Sequence, residues 1–170
     1  PERAHLRAAQ RPEAEMDALF RNQQAFVEQL FSAHPETNSV IGAFEGANYA
    51  ASGYYRSRPF MLSLGLALED AIAGPMMRSG SFSDGRDIGV VYNMPGHEAA
   101  TVLPMSGGVG AQYTPVAGWA QSILYHRDTL QDESWRGALA VALGGDASVA
   151  TNGFWSALTI ATTLQLPMLF

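Results

Sequence analysis

Apolar residues follow two patterns along this chain, and the clearest switch between them lies in the last third. From Ala138 to Leu143 they are continuous, with the length and aliphatic content of a strand buried on both faces of a parallel sheet. The run ends in Gly144-Gly145-Asp146. From Asn152 to Gln165 the period changes: Phe154, Trp155, Leu158, Ile160, Ala161 and Leu164 fall roughly at helical spacing. Pro167-Met168-Leu169-Phe170 then begins a second apolar run and predicts the next strand. Strand, glycine-bounded acid, helix and strand make a βαβ unit, and in such sheets ligands sit beyond the carboxyl ends of strands. That order places Asp146 where a cofactor or metal would be held.

Upstream, Met16, Leu19, Phe20, Val27, Leu30 and Phe31 recur at helical spacings between Pro12 and Ala33. They predict an amphipathic packing helix bounded by Pro12 and His34-Pro35. A second helical pattern runs from Phe60 to Ala73, with Leu62, Leu66 and Ile72 among its apolar members and Gly74-Pro75 as its stop. A glycine- and serine-rich loop follows, from Arg78 to Gly96. Tyr113 to His126 predicts a third helix, with Val116, Trp119, Ile123 and Leu124 towards its buried side and Pro115 in its first turn. Arg127 to Arg136 is polar and reads as a solvent-exposed loop. Together the elements predict a three-layer α/β fold with a mostly parallel sheet, Ala138–Leu143 central, and helices on both faces. Residues 1–36 form an N-terminal helical segment and 37–170 a single domain, with no repeat or linker dividing it.

Composition narrows the function classes. With 170 residues, 47% hydrophobic and 15% charged, the chain can build a real core. A net charge of −6 without a basic block argues against a dedicated nucleic-acid binder. The absence of cysteine excludes disulfides and thiolate metal sites and fits a cytoplasmic protein. No apolar run reaches the roughly 18 residues of a membrane span, so no membrane partner is expected. Residues 1–15 lack the apolar core of a secretory signal. The missing initiator Met and a stop at the start of a strand suggest truncation at both ends.

Gly145-Asp146-Ala147, then Asn152-Gly153-Phe154 and a helix ending in Leu166-Pro167, resemble the thiamine diphosphate motif. The form is most similar to the alpha subunit, or a fused alpha/beta chain, of the decarboxylating 2-oxo acid dehydrogenases. Ala147 stands where that family usually has glycine. Two further segments follow the family's order. Tyr54-Tyr55-Arg56, with Leu66-Ala67-Leu68-Glu69 after it, resembles a Tyr-Arg pair followed by a helix. Ser106-Gly107-Gly108-Val109-Gly110-Ala111-Gln112 resembles the loop that meets the aminopyrimidine ring. The resemblance covers Tyr54 to Phe170.

What the resemblance implies is a thiamine diphosphate-binding fold, continuing past Phe170, that uses thiamine diphosphate and Mg²⁺. Asp146 would be the metal ligand, with Ala147 and Ser148 beside it. Tyr55 and Arg56 would grip the diphosphate, a task suited to the planar guanidinium fork. Gly107 and Val109 would meet the cofactor ring, and His97 would be the catalytic histidine. The implied reaction is oxidative decarboxylation of pyruvate or a branched-chain 2-oxo acid, with acyl transfer to a lipoyl-bearing acyltransferase. A beta subunit, or a beta-like second half of the same chain, would complete the active site. Two alternatives stay open: another thiamine enzyme, of acetoin dehydrogenase or transketolase type, and a non-catalytic interaction protein with a decayed site.

Overall fold

The computed structural model describes residues 48–54, 57–86, 94 and 100–170. The expected helix from Pro12 to Ala33, the boundary at residue 36, and Tyr55, Arg56 and His97 lie outside the described residues. Among the described residues four short strands form one sheet: β1 (Ala50–Ser52), β2 (Thr101–Val102), β3 (Ala140–Ala142) and β4 (Met168–Leu169). Every pairing is parallel, and the spatial order is β2-β1-β3-β4. The register sets Ala50 opposite both Thr101 and Ala140, and Ala140 opposite Met168. The apolar run around Ala138–Leu143 is thus an interior strand.

The α-helices among the described residues are α1 (Arg58–Ser63), α2 (Leu68–Ala73), α3 (Tyr113–Leu124) and α4 (Asn152–Leu164). Because successive strand residues point to opposite faces, the strands divide their side chains between two cores. Ala51, Val102 and Val141 join Phe60, Met61 and Leu64 of α1 and Ala71 of α2. Ala50, Ala140 and Ala142 join Val116, Ala117 and Ala120 of α3 and Ala157 and Ala161 of α4. The sheet therefore carries helices on both faces, a mixed α/β architecture.

The helical pattern from Phe60 to Ala73 is two helices. The break is a left-handed turn at Gly65, φ 94°, closed by Leu66 N–H to Met61 O at 2.9 Å and Gly65 N–H to Leu62 O at 3.0 Å. Those two bonds satisfy the last carbonyls of α1, and glycine is the residue that turns left without steric cost. Arg127–Arg136 is likewise more ordered than a plain exposed loop. Tyr125–Thr129 continue α3 as a wider π turn, and Glu133–Trp135 form a 3₁₀ turn. Trp135 stacks on His126, with ring centroids 4.3 Å apart, and lies 5.9 Å from Trp119. The aromatic residues within an otherwise polar stretch supply the contacts that fold it back. Among the described residues no helix is long and apolar enough to cross a membrane.

Candidate functional site

From β1 the chain moves to β2 on one side of the sheet, and β3 then lies on the other side of β1. The chain leaving β1 enters α1 on one face, whereas the chain leaving β3 leads to α4 on the opposite face. Loops that diverge in this way open a crevice at the carboxyl ends of the two strands, the usual ligand position in parallel α/β sheets. A cleft of about 50 Å³ lies there, lined by Tyr54, Val109, Gly110, Gln112, Gly145, Ala147 and Ser148. Tyr54 follows β1, Val109 to Gln112 lead into α3, and Gly145 to Ser148 follow β3.

Each wall is held by a local cause. Tyr54 sits in a turn closed by its N–H to Ser57 Oγ at 3.0 Å and by Ser57 N–H to Tyr54 O at 2.8 Å. Gln112 is 4% exposed, and its side-chain amide donates to Leu143 O at 2.9 Å, tying the start of α3 to the end of β3. Gly110 has φ +82°, and a Cβ there would collide with the Thr151 side chain. A Cβ on Gly153 would come within 2.5 Å of Gly110 O. Bare backbone at these two positions lets the N-terminal turns of α3 and α4 meet beside the cleft. Thr151 caps α4, accepting from Phe154 N–H at 3.3 Å while donating to Ser148 O at 2.7 Å. That bond satisfies one of the otherwise unpaired N–H groups of the helix start.

Asp146 opens the 3₁₀ turn Asp146–Ala150 and is exposed; its neighbours Gly145 and Ala147 line the cleft, and Asp146 itself is not part of the lining. Its carboxylate caps no backbone N–H. Among the described residues it forms no ion pair and accepts no side-chain hydrogen bond.

The other expected site residues fare differently. Val109 lines the cleft and is 56% exposed, and Ala147 lines it beside Asp146. Ser148 lines it too, but its hydroxyl is committed within the protein, 2.5 Å from Tyr113 Oη and 2.5 Å from Gly145 O. Gly107 is not part of the lining, and a Cβ on it would meet nothing within 4 Å. Tyr54, Gly110 and Gln112 belong to the cleft without having been expected as site residues. Tyr54 could have been read from its place next to Tyr55-Arg56. The role of Gln112 depends on the Leu143 carbonyl, a pairing across 31 positions that no local pattern reveals.

Among the described residues the cleft lining holds no charged side chain. Among the described residues no group of three or more His, Cys, Asp or Glu side chains could hold a metal ion. His126, the one histidine among them, is stacked on Trp135 beyond the far end of α3. The described lining therefore offers polar backbone and neutral side chains for binding, with the exposed Asp146 next to it in sequence, and no nucleophile–histidine pair.

Residues 1–65 match the IgA Peptidase M64 family. No curated protein matches the chain. The family found is a peptidase family, and this overturns the resemblance to the 2-oxo acid dehydrogenases. The expected enzyme class, the oxidative decarboxylation with acyl transfer, and both alternatives are corrected with it. The order of short glycine-rich motifs that carried the resemblance reflects what a parallel sheet requires at strand and helix ends, which many unrelated proteins share. The peptidase match spans 65 of 170 residues, and its described part comprises β1, Tyr54 and α1.

Proposed function

We propose that the described α/β unit binds a small phosphorylated ligand, together with Mg²⁺, at the cleft between the ends of β1 and β3. One observation carries this reading: Asp146 is exposed, forms no ion pair or side-chain hydrogen bond among the described residues, and lies in the turn between Gly145 and Ala147, which line the cleft without it. A phosphate group and Asp146 bear like charge, so a cation between them is what makes them compatible. Mg²⁺ commonly takes only one or two protein carboxylates and fills its octahedron with phosphate oxygens and water. A lone carboxylate is thus a poor site for the metal by itself and a suitable one for a metal–phosphate pair. The start of α3, a helix of 12 residues, presents its positive dipole end to the same cleft and favours the ligand's negative charge.

Thiamine diphosphate is one member of this ligand class and serves here as a binding probe, with no reaction attached to it. The reading is tested by isothermal titration of the full chain with pyrophosphate and with thiamine diphosphate, each with Mg²⁺ or with EDTA. Saturable binding that requires Mg²⁺ is the expected result. A flat titration with both probes, or binding indifferent to EDTA, contradicts it.

The family match favours a second reading, peptide-bond hydrolysis, in which the cleft would hold a peptide segment. Incubation of the full chain with a mixed peptide pool, followed by mass spectrometry, tests it. New termini that appear only with the protein would support hydrolysis, and an unchanged pool would remove it.

A further inference from the structure

A surface helix normally places charge on its solvent side, and α4 has none to place. Asn152–Leu164 contains no Asp, Glu, Lys or Arg. Its buried residues are Ala157 and Ala161. Its exposed side is two adjacent rows at i, i+4 spacing, Trp155-Thr159-Thr163 and Ser156-Ile160-Leu164. Trp155 is 56%, Ile160 42% and Leu164 47% exposed, and among the described residues no other α-helix exposes a large apolar side chain. Two of the polar groups on α4 are already satisfied within the helix: Thr159 Oγ1 donates to Trp155 O and Thr162 Oγ1 to Leu158 O, each at 2.8 Å. A partner can cover these hydroxyls without leaving a donor unpaired. An uncharged helix face with a tryptophan and two aliphatic side chains has the chemistry of a contact surface.

We propose that its occupant is the N-terminal segment of the same chain, residues 12–33. That segment lies outside the described residues, and its sequence carries the complementary pattern: Met16, Leu19, Phe20, Val27, Leu30 and Phe31 at helical spacing, a stripe that is stable in water only against another apolar surface. The lengths agree. At the helical rise, Met16 to Phe31 spans about 22 Å and the 13 residues of α4 about 20 Å. The tether reaches as well. Asn48 is fixed beside α3, where its carbonyl accepts from Trp119 Nε1 at 3.0 Å and its side-chain amide donates to Ser134 O at 2.8 Å. α3 and α4 share one core on the same face of the sheet, so α4 is about one helix spacing, roughly 10 Å, further on. Residues 34–47 can extend to about 46 Å. A tether of that length keeps the stripe near α4 at an effective concentration on the order of millimolar, which favours this segment over a second copy in free solution.

The test reads thiol alkylation in the full chain, which has no cysteine of its own. Ile160→Cys reports on the α4 face, and Gly107→Cys, where an added Cβ meets nothing within 4 Å, supplies the rate of an open thiol. The Ile160→Cys thiol should react at least about tenfold more slowly than the Gly107→Cys thiol, and equally so on dilution. Adding Leu19→Asp and Leu30→Asp, which put charge into the stripe, should restore the open rate. Adding Arg21→Glu, outside the stripe, should not. An Ile123→Cys thiol, at a position 1% exposed, should stay protected throughout. Where the aspartates expose it too, Leu19→Ala with Leu30→Ala takes their place and must give the same restoration. An open rate for Ile160→Cys in the otherwise unchanged chain overturns the proposal. Slowing that fades on dilution assigns the face to a second copy, and slowing that survives the stripe substitutions assigns it to another partner; either result overturns the proposal as well.

Discussion

The two faces of the sheet are packed on different principles. One face is filled by bulk: Phe60, Met61 and Leu64, each at most 1% exposed, press on Ala51, Val102 and Val141. The other is filled by closeness: Ala50, Ala140 and Ala142 meet Ala117, Ala120, Ala157 and Ala161 of α3 and α4. Large side chains fill the α1 face. Small ones let α3 and α4 settle near each other and near the strands, so their first turns reach the ends of β1 and β3. The second face carries the Gly110, Gly144 and Gly153 contacts and the Tyr113–Ser148 hydrogen bond. The lesson is a division of labour: bulk on one side for stability, small residues on the other for a site.

The contrast is broken most strongly at its bulky end. Phe60→Ala removes a fully buried ring and should cost about 3–5 kcal/mol in urea unfolding. Pyrophosphate affinity of the molecules that remain folded should change less than about twofold. A large affinity loss would show that the two faces are not separable.

Next in size is a glycine pair on the other face. Gly110→Ala imposes a Cβ on φ +82° and on Thr151, which should cost about 1–3 kcal/mol and abolish most Mg²⁺-dependent binding. Gly107→Ala, with nothing within 4 Å of the added carbon, should stay within about 0.5 kcal/mol of wild type. Equal effects at both glycines would dissolve the close-packing argument.

The smallest effect lies beyond the far end of α3. Ser134 donates its hydroxyl, at 2.6 Å, and its N–H, at 3.0 Å, to Asp132. These bonds hold the Asp132 carboxyl below its ordinary value of 3.8, with His126 adding a lesser pull against the opposing desolvation. A depressed folded pKa stabilises the protein above that ordinary value, and the gain is lost as pH falls through the lower folded one. Melts of wild type and Asp132→Asn should therefore converge as acid is added below about pH 4. Since Asp132 is solvent-screened, the separation at neutral pH should be small. A difference that grows on acidification would reverse the sign and contradict the Ser134 contacts.

Much of the second face was legible in the sequence. The run at Ala138–Leu143, the helix from Asn152 and the strand after Pro167 all stand near their expected places, because period and glycine boundaries are local signals. The break at Gly65 was missed because the apolar spacing of Phe60–Ala73 runs through it unchanged, while the turn is written in one glycine. The Tyr113–Ser148 hydrogen bond was invisible for another reason: the two residues are 35 positions apart, and only the fold brings them together. Asp146 follows β3, as the strand and glycine pattern expected, but its chemical meaning was taken from motif order. Motif order reports sheet geometry more readily than it reports a reaction.

In the proposed function Asp146 serves a ligand and not the fold. Thermal melts of wild type and Asp146→Ala, each with and without Mg²⁺-pyrophosphate, test it most directly. Without ligand the two proteins should agree within about 0.5 kcal/mol, as expected for an exposed side chain without partners. With ligand at about 100 times its dissociation constant, wild type should gain about 2.7 kcal/mol and the variant almost nothing. A wild-type melt that does not move, or a variant that gains as much as wild type, would contradict the claim.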